Sequence, residues 1–412
     1  CMVGRIATGR SAALFTGDGL GYYAYLPSLL LDGDFDFTNQ FVPERVPPPW
    51  VDPSTQDFYY AHSPVTGRRV NPFPIGPAIA WAPAFLAAHA VATGLRPFAG
   101  VRGDGFGLHY EIPVYLFSLA LVLAGVYLTG RWLERRYAPE VAWSATLAAA
   151  VGTPFVAYQI AYLNMAHGLG ALALVGFLVA TCRATEQPTG WRPWAGVGIA
   201  LAALFLMRWQ NLLYGALVGA VWYRQWRGGT LLGTIAARGA TVAVPFAVLV
   251  LPQLAVWREL YGSWITIPQN AVPLSAGGGA PYLAPGGHWP GRFLSLLFDP
   301  ERGTLPVTPL VGLAAMGLAV ARPPWRWLAT ALLVLLVAQL ALVALSWDWH
   351  GGEPFGNRRL ADATPIVALG CASWLERGEG KPSRGRSLAA RAILLAAAWG
   401  LIRFAGYLAA RA

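Results

Sequence analysis

The sequence TGDGLGYYAYL, residues 16–26, places a single carboxylate between two glycines. Gly17 and Gly19 have no side chain, so the backbone there can adopt unusual angles and come close to a ligand. Asp18 is therefore a candidate catalytic carboxylate. Gly-Asp-Gly is also a common turn sequence, and a turn without a catalytic role is the alternative interpretation.

Three further aspartates alternate with other residues in DGDFDF, residues 32–37. In an extended segment Asp32, Asp34 and Asp36 would share one face, because successive side chains point to opposite sides. A calcium-binding EF-hand loop would need glycine in place of Phe37 and glutamate in place of Pro43, so that kind of site is excluded. A weaker divalent metal site and a solvated turn beside a membrane are the two interpretations that stay open, and the sequence indicates no other cofactor.

The segment HSPVTGRRVNPFPIG, residues 62–76, combines two adjacent arginines with Asn71. Its prolines forbid continuation of a helix and so fix the direction in which the chain enters the next element. Arg68 and Arg69 lie on the outer side of the predicted topology, against the usual bias of basic residues toward the cytoplasm. A bound anion would explain that placement.

A late polar loop, SWDWHGGEPFGNRRLADATP at residues 346–365, contains a second arginine pair. The guanidinium groups of Arg358 and Arg359 suit a phosphate, because their donors match phosphate oxygens in a bidentate arrangement. The alternative is an internal salt bridge of either arginine with Asp362 or Glu353.

The elements that must position these residues are membrane-spanning helices. Of the 412 residues, 56% are hydrophobic and 12% are charged, a balance that a water-soluble domain rarely shows. Several apolar stretches approach the roughly 20 residues that a helix needs to cross a bilayer. We therefore predict an all-α polytopic membrane protein. The net charge of +10 comes from basic residues between the apolar stretches, which indicates membrane topology rather than nucleic-acid binding.

Hydropathy predicts a bundle of about 10–11 transmembrane helices. The ten that can be delimited are residues 110–133, 140–160, 164–182, 194–208, 210–226, 240–258, 305–320, 327–346, 363–376 and 391–409. Basic residues occupy every alternate loop, beginning with Arg131, Arg135 and Arg136, and the positive-inside rule places those loops in the cytoplasm. To keep this alternation, residues 194–226 must form a hairpin that turns at residues 208–211.

The polar regions with candidate chemistry all fall on the outer side in this topology. The predicted division of the chain is residues 17–109 as a first periplasmic loop with juxtamembrane helices, 110–258 as transmembrane helices, 259–304 as a second periplasmic loop, and 305–412 as the C-terminal helices with an outer loop at 347–362. Few ionisable residues lie in the middle of a span, and no internal repeat is evident, which weakens the interpretation as an ion-coupled transporter.

Two segments near the start of the chain, residues 74–95 and residues 1–16, decide how the predicted topology begins. Residues 74–95 are apolar enough to span, but a crossing there would reverse the sides of the charged loops. We predict instead a helix in the membrane interface, interrupted at Pro77 and Pro83. An outer position for Asp18 requires a helix before it, so residues 1–16 are expected to be the remnant of a first helix or the start of a fragment.

The chain resembles the integral membrane glycosyltransferases of the GT-C superfamily. Within that superfamily it is most similar to the bacterial branch related to protein O-mannosyltransferases and to the lipopolysaccharide glycosyltransferases of the RgtA/B/C/D type. The residues that carry the resemblance are GDGLGYYAYL, NPFPIGPAIAWAPAF and WHGGEPFGNRRLADATP, together with the order of the spans between them. As an arrangement of spans the resemblance extends over most of the chain, whereas only these short motifs are specific to the family.

The resemblance implies a function. Enzymes of this kind transfer a sugar from a polyprenyl-phosphate donor to a glycan, lipid or protein acceptor, at the periplasmic side of the bacterial inner membrane. Asp18 corresponds to the acidic residue of the first outer loop that acts as general base. The expected ligands of the donor phosphate are Arg358 and Arg359, then Arg208, Arg69 and His350. Tyr22, Tyr23 and Asn71 are the expected substrate contacts.

Some features depart from that family pattern. Family members often have paired acids in the first outer loop, whereas Gly19 follows Asp18 here, so a second acid would come from the aspartates at positions 32, 34 or 36. The rival interpretations are a transporter or flippase for a lipid-linked saccharide, and a structural subunit with a degenerate active site. A packed interfacial histidine is the alternative role for His350.

Overall fold

A computed structural model describes residues 14–42, 59–99, 101–271, 283, 288–346, 348–352, 355–376 and 384–410. The helices that bear on the site, numbered in chain order, are α1 (Asp18–Pro27), α2 (Gly76–Ala99), α3 (Leu108–Leu133), α4 (Pro139–Gly152), α5 (Phe155–Ile160), α6 (Ala166–Glu186), α7 (Trp191–Met207), α8 (Ala216–Arg227), α9 (Leu232–Tyr261), α10 (Trp289–Phe298), α11 (Thr304–Val307), α12 (Pro309–Ala319), α13 (Arg326–Leu345), α14 (Thr364–Glu376) and α15 (Arg384–Ala409). Within the described ranges the chain forms helices and loops, with isolated β-bridges and no β-strand.

Six helices in the described part of the chain are long and apolar enough to cross a membrane: α2, α3, α6, α9, α13 and α15. Many large apolar side chains on them face outward, among them Leu116, Leu123, Val248, Val334 and Leu395. Exposed apolar surface of this extent is expected where lipid rather than water surrounds the helices. The prediction of a multi-pass helical architecture is confirmed at this level.

The number of full-length spans is smaller than the sequence predicted. All ten predicted segments are helical, but α4, α7, α8, α12 and α14 contain only 14, 17, 12, 11 and 13 residues. The segment at residues 140–160 breaks at Thr153 and Pro154, and the segment at 305–320 breaks at Thr308, just before Pro309. Helix α14 is buried along almost its whole length, so it has no need to match the thickness of a bilayer.

Helix α2 differs from the prediction that its prolines interrupt it. The helix is continuous from Gly76 to Ala99. Pro77 lies in the first turn, where a missing N–H has no helical partner to lose, and Pro83 is accommodated inside the helix. Whether α2 lies in the interface or crosses the membrane stays a prediction.

The chain reverses direction after α7, as the charge pattern predicted. Arg208 is extended, a 3₁₀-helix covers Trp209–Gly215, and α8 then returns along α7. The rings of Trp194, at the start of α7, and Trp222, near the end of α8, are 6.4 Å apart. Residues 194–226 therefore form a hairpin.

The basic loops meet at one end of the helix bundle, which we call the basic end. Arg136 pairs with Glu376 at 3.3 Å, Trp132 stacks on Trp325 at 5.2 Å, and the Arg224 guanidinium lies 4.7 Å from the centre of the Trp327 ring. The loops assigned to one side by their charge are thus neighbours in space. The remaining helix ends meet at the opposite end, the site end, where the candidate residues lie.

Candidate functional site

Asp18 is the first residue of α1, and the preceding backbone is held from two other elements. Glu111 of α3 accepts hydrogen bonds from the backbone N–H groups of Leu14 and Phe15, and Asn164 Nδ2 donates to the Leu14 carbonyl at 3.1 Å. Gly17 has φ of 56°, a conformation that favours glycine. The loop is therefore fixed before the chain reaches the carboxylate.

Gly19 has a packing role rather than a conformational one. A Cβ atom at this position would lie 2.5–2.8 Å from the side chain of Asn164, so only glycine lets α1 approach that residue. The two glycines around Asp18 thus serve different purposes. One allows the turn into the helix, and the other allows close contact with the loop before α6.

The carboxylate of Asp18 forms an ion pair with the guanidinium of Arg358. The Asp18 side chain is 24% exposed and the Arg358 side chain is 18% exposed, so a ligand can reach both. Burial alone would lower the pKa of Arg358, but the nearby carboxylate of Asp18 holds it above its ordinary value. Arg358 is consequently charged at neutral pH.

Arg359 points away from its neighbour. It donates to the carboxylate of Asp348 at 2.7 Å and to the Asp348 backbone carbonyl, and its own carbonyl accepts from Gln339 Nε2 at 2.7 Å. In the 3₁₀-helix Arg358–Ala363, successive residues are turned by about 120°. The two adjacent arginines therefore serve different parts of the site.

A second charged group lies deeper in the bundle. Asp362 is completely buried, and its carboxylate contacts Asn211 Nδ2 at 2.9 Å, His167 Nδ1 at 3.1 Å and Arg208 Nη1 at 3.3 Å. Burial alone would raise the pKa of Asp362, but Arg208, His167 and Asn211 together hold it below its ordinary value. The salt bridge of Arg358 or Arg359 with Asp362, which was the alternative interpretation, is not formed because Asp362 pairs with Arg208 and His167. Glu353 lies outside the described residues.

Tyr22 lies near both charged groups. It is buried, and its hydroxyl group is close enough to feel the charges of Asp18, Arg208, Arg358 and Asp362. Burial and the charge of Asp18 raise the pKa of Tyr22, so the phenol stays protonated and can donate a hydrogen bond. Among the predicted substrate contacts, Tyr22 is the residue that the fold brings beside Asp18.

The other predicted substrate contacts support the structure of the first loop. Tyr23 is fully buried and its hydroxyl donates to the Gly105 carbonyl at 2.7 Å. Asn71 is also buried and donates to the Gly21 carbonyl at 2.9 Å. These contacts join α1 to the polypeptide around it.

Arg69 and His350 also have structural contacts. Arg69 donates to the Phe41 carbonyl at 2.6 Å and its guanidinium lies 5.3 Å from the centre of the Tyr60 ring. His350 Nδ1 accepts from the Gly352 backbone N–H at 3.1 Å and lies 3.4 Å from the carboxylate of Asp348. His350 thus borders the Arg359 part of the site, whereas Arg69 belongs to the first loop.

The aspartates at positions 32, 34 and 36 close the turn after α1. Asp32 accepts from Asn39 at 2.9 Å and from Gln40 at 2.7 Å, and Asp34 accepts from Ser28 Oγ at 3.1 Å. Asp36 accepts from the hydroxyl and N–H of Thr38, and these bonds lower the pKa of its carboxyl group. Nowhere in the described ranges do three or more His, Cys, Asp or Glu side chains form a group that could hold a metal ion.

A narrow cleft lies beside the buried charges, and its volume is about 20 Å³, or about 400 Å³ when the space open to solvent is included. Arg208 and Arg359 line it together with aliphatic side chains that include Leu213, Leu342 and Val343. Ser346 also lines the cleft, and its buried hydroxyl has no hydrogen-bond partner among the described residues. The cleft therefore combines a cationic part with an apolar part.

The sequence analysis did not select several uncharged residues of the site. Asn164, Asn211, Gln339 and Tyr158 hold or border the charged groups, and the Tyr158 and His167 rings are 4.7 Å apart. Asn164, Asn211 and Tyr158 share one signal, a polar residue at a span end on the predicted outer side, whereas Gln339 lies nearly two turns inside α13. Comparison of the chain with protein-family models, with curated proteins and with solved structures gives no match.

Proposed function

We propose that this protein is a glycosyltransferase that moves a sugar from a polyprenyl-phosphate donor to an acceptor hydroxyl. The observation that carries the proposal is the Asp18–Arg358 ion pair, a partly exposed carboxylate and guanidinium in contact at the site end of the bundle. Transfer of this kind needs a base for the hydroxyl and a cation for the departing phosphate. The proposed location is the bacterial inner membrane, with the site end facing the periplasm.

In the proposed reaction the Asp18 carboxylate accepts the proton of the acceptor hydroxyl. The acceptor oxygen then forms a bond with the anomeric carbon of the donor sugar, while the bond between that carbon and the phosphate oxygen breaks. Its electron pair leaves with the polyprenyl phosphate. Tyr22, a protonated phenol beside the carboxylate, is positioned to donate a hydrogen bond to the sugar or acceptor.

Arg358 is shared between the base and the leaving group in this mechanism. In the ground state the guanidinium contacts the Asp18 carboxylate. As negative charge grows on the phosphate, Arg358 moves toward it, and the weakened ion pair leaves the carboxylate free to contact the acceptor hydroxyl. Donor binding and activation of the acceptor are therefore coupled through one guanidinium group.

The narrow cleft lined by Arg208 and Arg359 borders the proposed position of the donor phosphate. Arg208 and Arg359 supply positive charge, Leu213 and Leu342 supply an apolar wall, and Ser346 supplies an unsatisfied hydroxyl. Arg208 is stabilised by the buried carboxylate of Asp362. This pairing fixes the orientation of the arginine inside the bundle.

The test is transfer of labelled sugar from polyprenyl-phosphate donors in membranes that contain the wild type or Asp18→Asn. The variant keeps the shape of the side chain but lacks the base, so we expect transfer to fall by about 10²–10⁴-fold. The matched control is Asp36→Asn, which changes an aspartate that only closes a turn, and its transfer should stay within about twofold. Equal transfer by wild type and Asp18→Asn, or no transfer by wild type from any such donor, contradicts the proposal.

A further inference from the structure

A second open groove lies at the basic end, between the last turn of α6 and the first turns of α7. It contains about 1000 Å³ of empty space, including its open side. Its lining includes Ala180, Arg183, Gln187, Trp191, Arg192 and Gly196. We call it the α6–α7 groove. It is at the opposite end of the bundle from Asp18 and has no part in the proposed reaction.

The two arginines of the groove differ from their neighbours at the basic end. Arg131 pairs with Glu134 at 2.6 Å and Arg135 pairs with Glu186 at 3.5 Å. Arg183 and Arg192 form no ion pair with any residue in the described part of the chain, and both side chains are exposed. The groove therefore carries two positive charges that the protein itself does not balance.

The depth of the groove fits a lipid molecule. Ala180 and Gly196 lie about one helical turn beyond the arginines, roughly 5 Å further toward the middle of the helices. A Cβ atom on Gly196 would meet nothing within 4 Å, so the groove has free space at this level. A phosphate at the level of the arginines would leave room for a glycerol backbone beside these small residues.

An aromatic side chain marks the same level of the membrane. Trp191 is 66% exposed, and the Arg192 guanidinium lies 5.7 Å from the centre of its ring. Tryptophan is enriched at the boundary between membrane and water, where its ring contacts lipid headgroups. The position of Trp191 thus agrees with a headgroup at the arginines.

The connection between the two helices is already ordered. Trp194 Nε1 donates to the Pro188 carbonyl at 3.1 Å, and the Gly190 N–H donates to the Gln187 carbonyl at 3.3 Å. A binding site that is formed in advance loses little conformational entropy when its ligand binds.

We propose that the α6–α7 groove binds an anionic phospholipid, with its phosphate between Arg183 and Arg192 and its glycerol backbone beside Ala180 and Gly196. Gln187 supplies a further hydrogen bond to the headgroup. A lipid with net negative charge is preferred to a zwitterionic one, because no described carboxylate balances the two arginines. The predicted cytoplasmic position of the basic end agrees with this ligand.

The test is native mass spectrometry of the purified full chain titrated with phosphatidylglycerol, phosphatidylcholine or inorganic phosphate. We expect phosphatidylglycerol to bind more tightly than phosphatidylcholine, and the double variant Arg183→Gln/Arg192→Gln to bind it about thirtyfold more weakly than wild type. The control is Arg322→Gln/Arg326→Gln, which removes the same number of exposed charges from the same end. Since those two arginines do not line the groove, its affinity for phosphatidylglycerol should match wild type.

Three results would overturn the proposal. The first is equal affinity of wild type for the anionic and the zwitterionic lipid. The second is equal weakening by both double variants, which would indicate a response to net charge alone. The third is binding of inorganic phosphate as tightly as phosphatidylglycerol, which would make the groove a site for a free anion.

Discussion

Asp362 shows how a single residue can organise the interior of the site. Its partners come from the start of α6, the turn after α7 and the following 3₁₀-helix, and its side chain has no exposed surface. A buried charge is tolerated only where opposite charge and hydrogen bonds compensate it. Asp362 therefore sets the positions of Arg208 and His167 without itself reaching the exposed part of the site.

We expect Asp362→Asn to destabilise the protein by about 3–5 kcal/mol, because it leaves Arg208 as a buried charge without a carboxylate. The measurement is denaturant unfolding in detergent, followed by reaction of a thiol dye with the buried Cys182 and Cys371. The control is Asp104→Asn, whose partner Arg102 is 78% exposed, and a change within about 1 kcal/mol is expected there. Equal losses of unfolding free energy in the two variants would show that the buried pair stabilises the protein no more than the exposed pair does.

The same pairing has a defined pH dependence. The pKa of Asp362 in the folded protein is below its ordinary value. Its contribution to stability is therefore complete above the pKa of the unfolded chain and is lost as the pH falls through the lower folded-state pKa. Wild type and Asp362→Asn should differ most at neutral pH and converge in strong acid.

At the residue scale, the sequence identified the charged members of the site but not their pairing. Asp18 and Arg358 were selected by residue type and predicted side, and Arg208 by the family resemblance, and all three lie at the same end of the bundle. The sequence suggested that Arg358 and Arg359 act together, whereas the 3₁₀-helix turns them apart. That short helix has no hydropathy pattern of its own, so its geometry depends on tertiary packing.

At the element scale, close helix packing depends on glycines that carry no chemical signal. Helices α12 and α14 cross where a Cβ atom on Gly317 would overlap the backbone carbonyl of Gly370. Small residues let helix backbones approach in this way, and membrane helices use them widely. Hydropathy located both segments, but it could not predict that they would be short, buried and in backbone contact.

We expect Gly317→Ala to lower the thermal stability of the protein, because the added methyl group must push α12 away from α14. A loss of about 1–3 kcal/mol is typical of an overpacked core. The matched variant is Gly176→Ala inside α6, where a Cβ atom would meet nothing within 4 Å. That change should be neutral or stabilising by up to about 1 kcal/mol, since alanine favours a helix. A stable Gly317→Ala protein would show that the crossing can relax.

At the scale of the whole molecule, the separation of a basic end from a site end predicts membrane sidedness. Val65 lies in the first loop and is 74% exposed, and Leu231 lies between α8 and α9 and is 75% exposed. In a Cys1→Ser background, Val65→Cys should react with a membrane-impermeant maleimide in intact cells. Leu231→Cys should react only after the membrane is permeabilised.

A membrane-permeant maleimide should label both positions in intact cells and serves as the control for reactivity. The remaining cysteines, Cys182 and Cys371, are buried and should react slowly. Labelling of both engineered positions by the impermeant reagent would contradict the assignment of the two ends to opposite sides. The sequence could make this assignment because the positive-inside rule depends on composition, whereas the order of helices around the bundle depends on tertiary contacts.

The Asp18–Arg358 ion pair joins residues that are 340 positions apart in the chain. At a synthesis rate of about 5–20 residues per second, the second residue follows the first from the ribosome after on the order of 20–70 s. For that interval the carboxylate must stay hydrated while helix after helix is inserted. The site is thus among the last features to form during biosynthesis, and a chain that stops before Arg358 holds an acid with no counter-ion.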